Sequence, residues 1–144
     1  MPICVLVADS SKARFLLAES GRDPLIDYLD LVHPESRLRE QDLVTDGPGS
    51  AAEAGGQSKH SVGNEKSAHR KHAEAFAREL CRELDKLRRK RDLRRIYLIA
   101  APKLLGHLRA VISGQSAALL AGEIDKDLVG QSIEEIRSHL PKRL

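Results

Sequence analysis

The sequence has 144 residues, of which 41% are apolar, 31% are charged and two are cysteines. This length corresponds to one domain, and the composition is that of a globular protein rather than a disordered tail or a disulfide scaffold. No run of about 18 apolar residues occurs, and the first residues carry no signal-peptide pattern, so we expect a cytoplasmic protein that does not bind a membrane. Cys4 and Cys81 lie in apolar patterns, which favours buried, reduced thiols.

The net charge of +3 is unevenly distributed along the chain. Residues 59–95 contain 13 Lys and Arg against 6 Asp and Glu, a local charge of +7 that leaves −4 for the rest. This asymmetry indicates one basic face. Only two Phe and two Tyr are present, which is too few for a surface that stacks on single-stranded bases.

The first part of the chain predicts three strands followed by an irregular segment. Apolar and β-branched residues favour strands at 3–8, 13–19 and 25–33, with a polar turn between the first two. Residues 34–64 fit no regular element and contain several glycines. A long segment of this kind in a compact domain is functional or disordered, and we predict a long mobile loop there.

The period then becomes helical from about Glu65 to Arg91, with an apolar stripe at i, i+3, i+4 and i+7 spacing and a basic opposite face. A strand at 95–100, a helix at 102–112 that starts with Pro102, and a strand near 119–124 follow. Ser132 and Glu135 form a capping-box pattern that opens a last helix ending at Leu140. The order predicts a single α/β domain, residues 1–144, with a mixed sheet of about five strands packed by three or four helices.

Several segments together resemble the bacterial host-attachment protein family. They follow the family's order and cover nearly the whole chain. They are VADSSKAR (7–14), LVHPESRLREQDLVTDGPG (31–49), HAEAFARELCREL (72–84), LIAAPKLLGHLRAVI (98–112) and EIDKDL (123–128). The family name describes an attachment phenotype and not a chemistry.

That family in turn is similar, in its order of elements, to the central domain of archaeal and eukaryotic class I release factors and of Pelota. In release factors a Gly-Gly-Gln triplet stands at a loop tip before a long basic helix, and Gly55, Gly56 and Gln57 occupy the comparable place here. The resemblance implies hydrolysis of the peptidyl-tRNA ester without a cofactor. Two glycines would permit close backbone approach, and the glutamine N–H would stabilise the developing oxyanion. A flexible glycine-rich loop without catalytic function is the alternative for this triplet.

The basic residues give a second candidate site, in which side chains contact RNA phosphates without base specificity. The alternative is a solvated helix face with intrahelical ion pairs. The candidate RNA-binding residues are Lys59, Lys66, Arg70, Lys71, Arg78, Arg82, Lys86, Arg89, Lys90 and Arg91. We therefore expect a ribosome or tRNA as the partner.

Other groups of residues are weaker candidates for a functional site. His60, His69 and His72 lack the further ligands of a zinc site, so we predict no metal. The turn at Asp9–Ser11 lacks the pattern of a nucleophile elbow. A non-enzymatic protein-interaction module of the host-attachment family, with a homodimer as one arrangement, is the alternative function.

Overall fold

The computed structural model describes residues 2–33 and 47–144, and it describes side chains for residues 2–33 and 68–144. The described residues form one α/β domain with five strands and four helices, as predicted. In chain order the elements are β1 (Ile3–Ala8), β2 (Lys12–Ala18), β3 (Ile26–Val32), α1 (Gly47–Arg91), β4 (Arg95–Ala100), α2 (Pro102–Val111), α3 (Gly114–Ala117), β5 (Leu120–Ile124) and α4 (Ile133–Ser138).

The five strands form one mixed sheet in the order β3-β2-β1-β4-β5. The hairpin partners β1 and β2 are antiparallel, as are β2 and β3, whereas β4 is parallel to both β1 and β5. The central strands β1 and β4 therefore have a neighbour on each side, which agrees with their nearly continuous apolar sequences.

Each face of the sheet is covered, and the alternating side chains of β1 show how. Cys4, Leu6 and Ala8 belong to a core shared with α1 and α2. The intervening residues Ile3, Val5 and Val7 belong to a second core, which the C-terminal segment with α4 closes. All six side chains are buried, so the sheet is the middle layer of three.

Helix α1 is longer than the periodicity predicted. It begins at Gly47 instead of about Glu65, so the predicted loop is wrong for residues 47–64, while residues 34–46 lie outside the described part of the chain. Apolar periodicity reports packing against a core, and helix formation does not require it. This stretch contains five Gly and one Pro against three Ala and one each of Glu, Gln and Lys, so helix propensity does not explain the extension either. Despite its length of 45 residues, neither α1 nor any other described helix has the apolar stretch needed to cross a membrane.

Short polar motifs fix the ends of several elements as the sequence predicted. The Asp9 carboxylate accepts hydrogen bonds from the N–H groups of Ser11 and Lys12 at 2.8 and 2.7 Å and closes the β1–β2 turn. The hydroxyl of Ser132 accepts from the N–H of Glu135 at 3.1 Å and caps α4. The short helix α3, which the sequence analysis did not predict, is capped in the same way by Ser113.

Both cysteines are free and buried, in agreement with the apolar patterns around them. Burial raises the pKa of the Cys4 thiol far above its usual range. Burial, and to a lesser extent the nearby Asp85 carboxylate, raises the pKa of Cys81 to about 11. Neither thiol is therefore activated as a nucleophile.

Candidate nucleic-acid interface

One side of α1 packs against the sheet. Its buried side chains recur with helical spacing and lie against β1, β2 and β4 in the first core. They are Phe76, Ala77, Leu80, Cys81, Leu84 and Leu87. They lie in the apolar stripe that the sequence predicted between Glu65 and Arg91, and their burial fixes which side of α1 faces solvent.

The opposite side of α1 carries a line of exposed cations, which we call the basic stripe. It consists of Lys71, Arg78, Arg82, Lys86 and Arg89. With 3.6 residues per turn, these five positions fall within a sector of about 80° that points away from the core face. From Lys71 to Arg89 the stripe is about 27 Å long. The core thus forces the charges onto one solvent-facing surface.

Few carboxylates neutralise the stripe. Lys86 forms an i,i+3 ion pair with Glu83 at 3.3 Å, and its side chain remains 68% exposed. Arg78 and Arg82 form no ion pair with any other side chain that the structure describes. The alternative interpretation was a solvated helix face whose cations form intrahelical ion pairs. It therefore accounts for Lys86 but not for these two arginines.

Among the remaining candidate RNA-binding residues, Arg70, Lys90 and Arg91 lie off the stripe. Arg70 and Lys90 are exposed at other angles around α1. Arg91 turns toward the sheet, where it pairs with Glu19 at 2.9 Å and its guanidinium lies 5.8 Å from the centre of the Tyr28 ring. The backbone of Lys59 and Lys66 is part of α1, but their side chains are outside the described set.

A half-buried polar cluster holds α1 against α3. The Asp85 carboxylate accepts hydrogen bonds from Ser113 and Ser116 at 2.6 and 2.7 Å, and it pairs with Arg88 at 3.7 Å. Burial acts to raise the pKa of Asp85, but these hydrogen bonds and the charges of Arg88 and Arg89 outweigh it, so the pKa lies below its usual value. The cluster engages Arg88, a cation of α1 that the sequence analysis did not include among the candidates.

The Gly-Gly-Gln triplet lies within α1. Gln57 stands ten residues after the first residue of the helix, Gly47. Only the first four N–H groups of an α-helix lack an intrahelical acceptor. In this helix the N–H of Gln57 is therefore not available to an oxyanion, whereas the loop-tip chemistry requires that it be free.

The histidines do not assemble a metal site among the described residues. His33, which follows β3 and is buried, stacks on Phe76 with ring centres 4.9 Å apart, and the His72 ring meets it edge-on at 6.1 Å. In the part of the chain with described side chains, no group of three or more His, Cys, Asp or Glu is placed to hold a metal ion. The sequence analysis did not predict that His33 is buried and stacks on Phe76. Its place at the end of an apolar strand was the only sequence feature that could have indicated this.

The fold and the stripe define an α/β domain whose longest helix presents a cationic surface on its outer side. Residues 4–140 match the family described as protein required for attachment to host cells. The match covers nearly all of the chain, so the protein belongs to this family, as the resemblance implied. A search of curated proteins finds no match.

Proposed function

We propose that this protein is a translation-associated domain that binds RNA, on the ribosome or as tRNA, through the basic stripe of α1. One observation carries the proposal: five exposed cations lie in line on the side of α1 opposite the core. A cytoplasmic location follows from this proposal, because ribosomes are found there.

The chemistry of the stripe fits a phosphate backbone. Each Lys or Arg that neutralises a phosphate releases a condensed counterion, so affinity falls steeply as salt is added. The stripe has no aromatic side chain with which to stack on bases. We therefore expect binding that positions the protein on RNA without reading its sequence.

Hydrolysis of the peptidyl-tRNA ester by Gly55, Gly56 and Gln57 is a separate part of the proposal. The helical position of the triplet favours RNA binding without catalysis, since hydrolysis would require α1 to unwind around Gln57. The test is peptidyl-tRNA release by the wild type, Gly56→Ala and Gln57→Ala. Release that both substitutions abolish would assign the reaction to the triplet, and equal release by all three proteins would remove it from the mechanism.

The binding test is sedimentation with purified ribosomes and titration of tRNA over a series of salt concentrations. We expect Arg82→Glu and Arg89→Glu to weaken binding about tenfold at low salt and to reduce the salt slope by about one contact each. Lys126→Glu makes the same charge change at an exposed position outside α1 and should bind like the wild type. Absence of binding at low salt, or equal weakening by Lys126→Glu, would contradict the proposal.

A non-enzymatic protein-interaction module is the second candidate, and the edge strand β3 favours it. Ile26, Tyr28 and Val32 are exposed there, with Ile26 62% accessible. Apolar side chains on a sheet edge are typical of protein contacts. The salt series separates the two candidates, because this function predicts no affinity for RNA.

A further inference from the structure

The cations of the basic stripe form a regular row on the outer side of a helix. The side chains on the opposite side of α1 are buried against the sheet, so the helix cannot turn about its axis to change which residues face solvent. Arg78, Arg82 and Lys86 follow one another at intervals of four residues, which is about 6 Å along the helix axis. The direction and spacing of these charges are therefore fixed before any ligand binds.

Carboxylates on both sides keep the stripe narrow. At 3.6 residues per turn, Glu74 and Glu79 lie just outside the sector of the stripe, on opposite sides of it. Neither forms an ion pair with another side chain that the structure describes. A phosphate displaced sideways from the stripe would therefore meet a negative charge. The surface fits a single row of phosphates.

The aromatic side chains of the protein lie elsewhere. Phe15, Phe76 and Tyr97 are buried in the two cores, and Tyr28 lies on β3 beside Arg91, off the stripe. Proteins that bind single strands without sequence preference hold the backbone in a positively charged groove and stack the bases on aromatic rings. The outer side of α1 is convex, and none of these four rings lies on it. A single strand would thus gain only phosphate contacts there, and it would lose conformational freedom along the row.

We propose that the RNA recognised by the basic stripe is double-helical, and that the stripe lies along the phosphates of one strand of the duplex. This inference rests on the RNA-binding function proposed above and names the form of RNA that fits it. A duplex already holds its phosphates in a regular row, so it loses little freedom when it meets a fixed row of cations. A double helix also carries about twice the charge of one strand per unit length. Proteins recognise double-stranded RNA mostly by its shape and backbone, which agrees with a stripe that cannot stack on bases.

The test is a fluorescence-anisotropy titration of the protein with an RNA hairpin and with an unstructured uridine-rich strand that has the same number of phosphates. At the same low salt concentration, we expect the hairpin to bind at least about tenfold more tightly, because only its phosphates are ordered in advance.

Three variants connect this preference to the stripe. Arg82→Glu interrupts the row, and we expect a loss of about tenfold for the hairpin but a smaller loss for the single strand, since a flexible strand can bend around the reversed charge. Glu79→Gln removes one flanking charge and should strengthen hairpin binding about two- to threefold. Glu134→Gln makes the same change at an exposed position of α4, and it should leave both affinities unchanged.

Equal or tighter binding of the single strand would overturn this inference and leave the RNA-binding function intact. Equal losses for the two RNAs in Arg82→Glu, or an effect of Glu134→Gln as large as that of Glu79→Gln, would also overturn it. Absence of binding to both RNAs would contradict the function proposed above, and this inference with it.

Discussion

Gly21 is tightly enclosed by the end of the chain. A Cβ atom at this position would lie 2.5 Å from the main-chain oxygen of Leu144, so Gly21→Ala must displace the tail that closes the second core. We expect a loss of about 1–3 kcal/mol in the free energy of unfolding, as for other overpacked sites, measured by urea denaturation.

Gly106 provides the matched control for that substitution. It lies inside α2, and a Cβ atom there would meet nothing within 4 Å. Gly106→Ala should therefore stabilise the protein by about 0.5–1 kcal/mol. If Gly21→Ala were as stable as the wild type, the tail would not be docked as described.

Asp85 makes stability depend on pH. Because its pKa is lower in the folded protein than its ordinary value, the stabilisation by the ionised form is complete at neutral pH and is lost as the pH falls through the folded pKa. Asp85→Asn should cost about 1–2 kcal/mol near neutral pH, and its difference from the wild type should shrink as the pH falls from neutral through the folded pKa, which lies below the ordinary value.

The corresponding measurement is urea denaturation of both proteins across this pH range. Asp127→Asn changes an exposed carboxyl and should show no such convergence with the wild type. A difference between wild type and Asp85→Asn that persists unchanged into acid would contradict the role of the ionised carboxylate.

Single residues were predictable from the sequence where their neighbours along the chain decide their role. Ser132 and Asp9 act through bonds to N–H groups two or three residues away, and such local patterns are visible in a sequence. Arg91 was assigned to the RNA-binding set, yet it faces Glu19 and Tyr28. Its orientation depends on a strand far away in the chain, and the spacing of charges along α1 does not contain that information.

The C-terminal end of α1 has the left-handed residue and the 6→1 hydrogen bond of a Schellman motif. Asp92 has a positive φ of 52°, and the N–H of Leu93 donates to the carbonyl of Arg88 at 3.2 Å. Glycine adopts this backbone conformation without the steric cost that a Cβ imposes.

We therefore predict that Asp92→Gly raises the free energy of unfolding by about 0.5–1 kcal/mol. Asp92→Ala should lower it, because alanine has neither the freedom of glycine nor a polar side chain that tolerates this conformation. Urea midpoints of the two variants provide the comparison, and greater stability of Asp92→Ala than of Asp92→Gly would contradict the assignment.

The edge strand β3 contains a bulge that breaks the alternation of its side chains. Phe15 pairs with Leu29, and the next residue of β2, Leu16, pairs with Asp27, so Tyr28 is an extra residue at a bulge. Asp27 forms an ion pair with Arg14 at 3.3 Å. Charged residues and a bulge at a sheet edge oppose pairing with another strand, which argues against a homodimer formed by extension of the sheet at this edge.

The fold as a whole was predictable because buried positions are apolar and recur with the period of a strand or a helix. Apolar runs identified the central strands, and the helical period identified the side of α1 that faces the sheet. The extension of α1 to Gly47 was not predictable in this way, since no apolar stripe marks it.

The location of RNA on the protein is best measured by an NMR titration of the labelled protein with a short RNA hairpin at low salt. The account predicts that amide shifts concentrate on the outer side of α1, at Arg78, Arg82 and Arg89, and that added salt reverses them. No shifts at low salt, or shifts confined to β3, would contradict it.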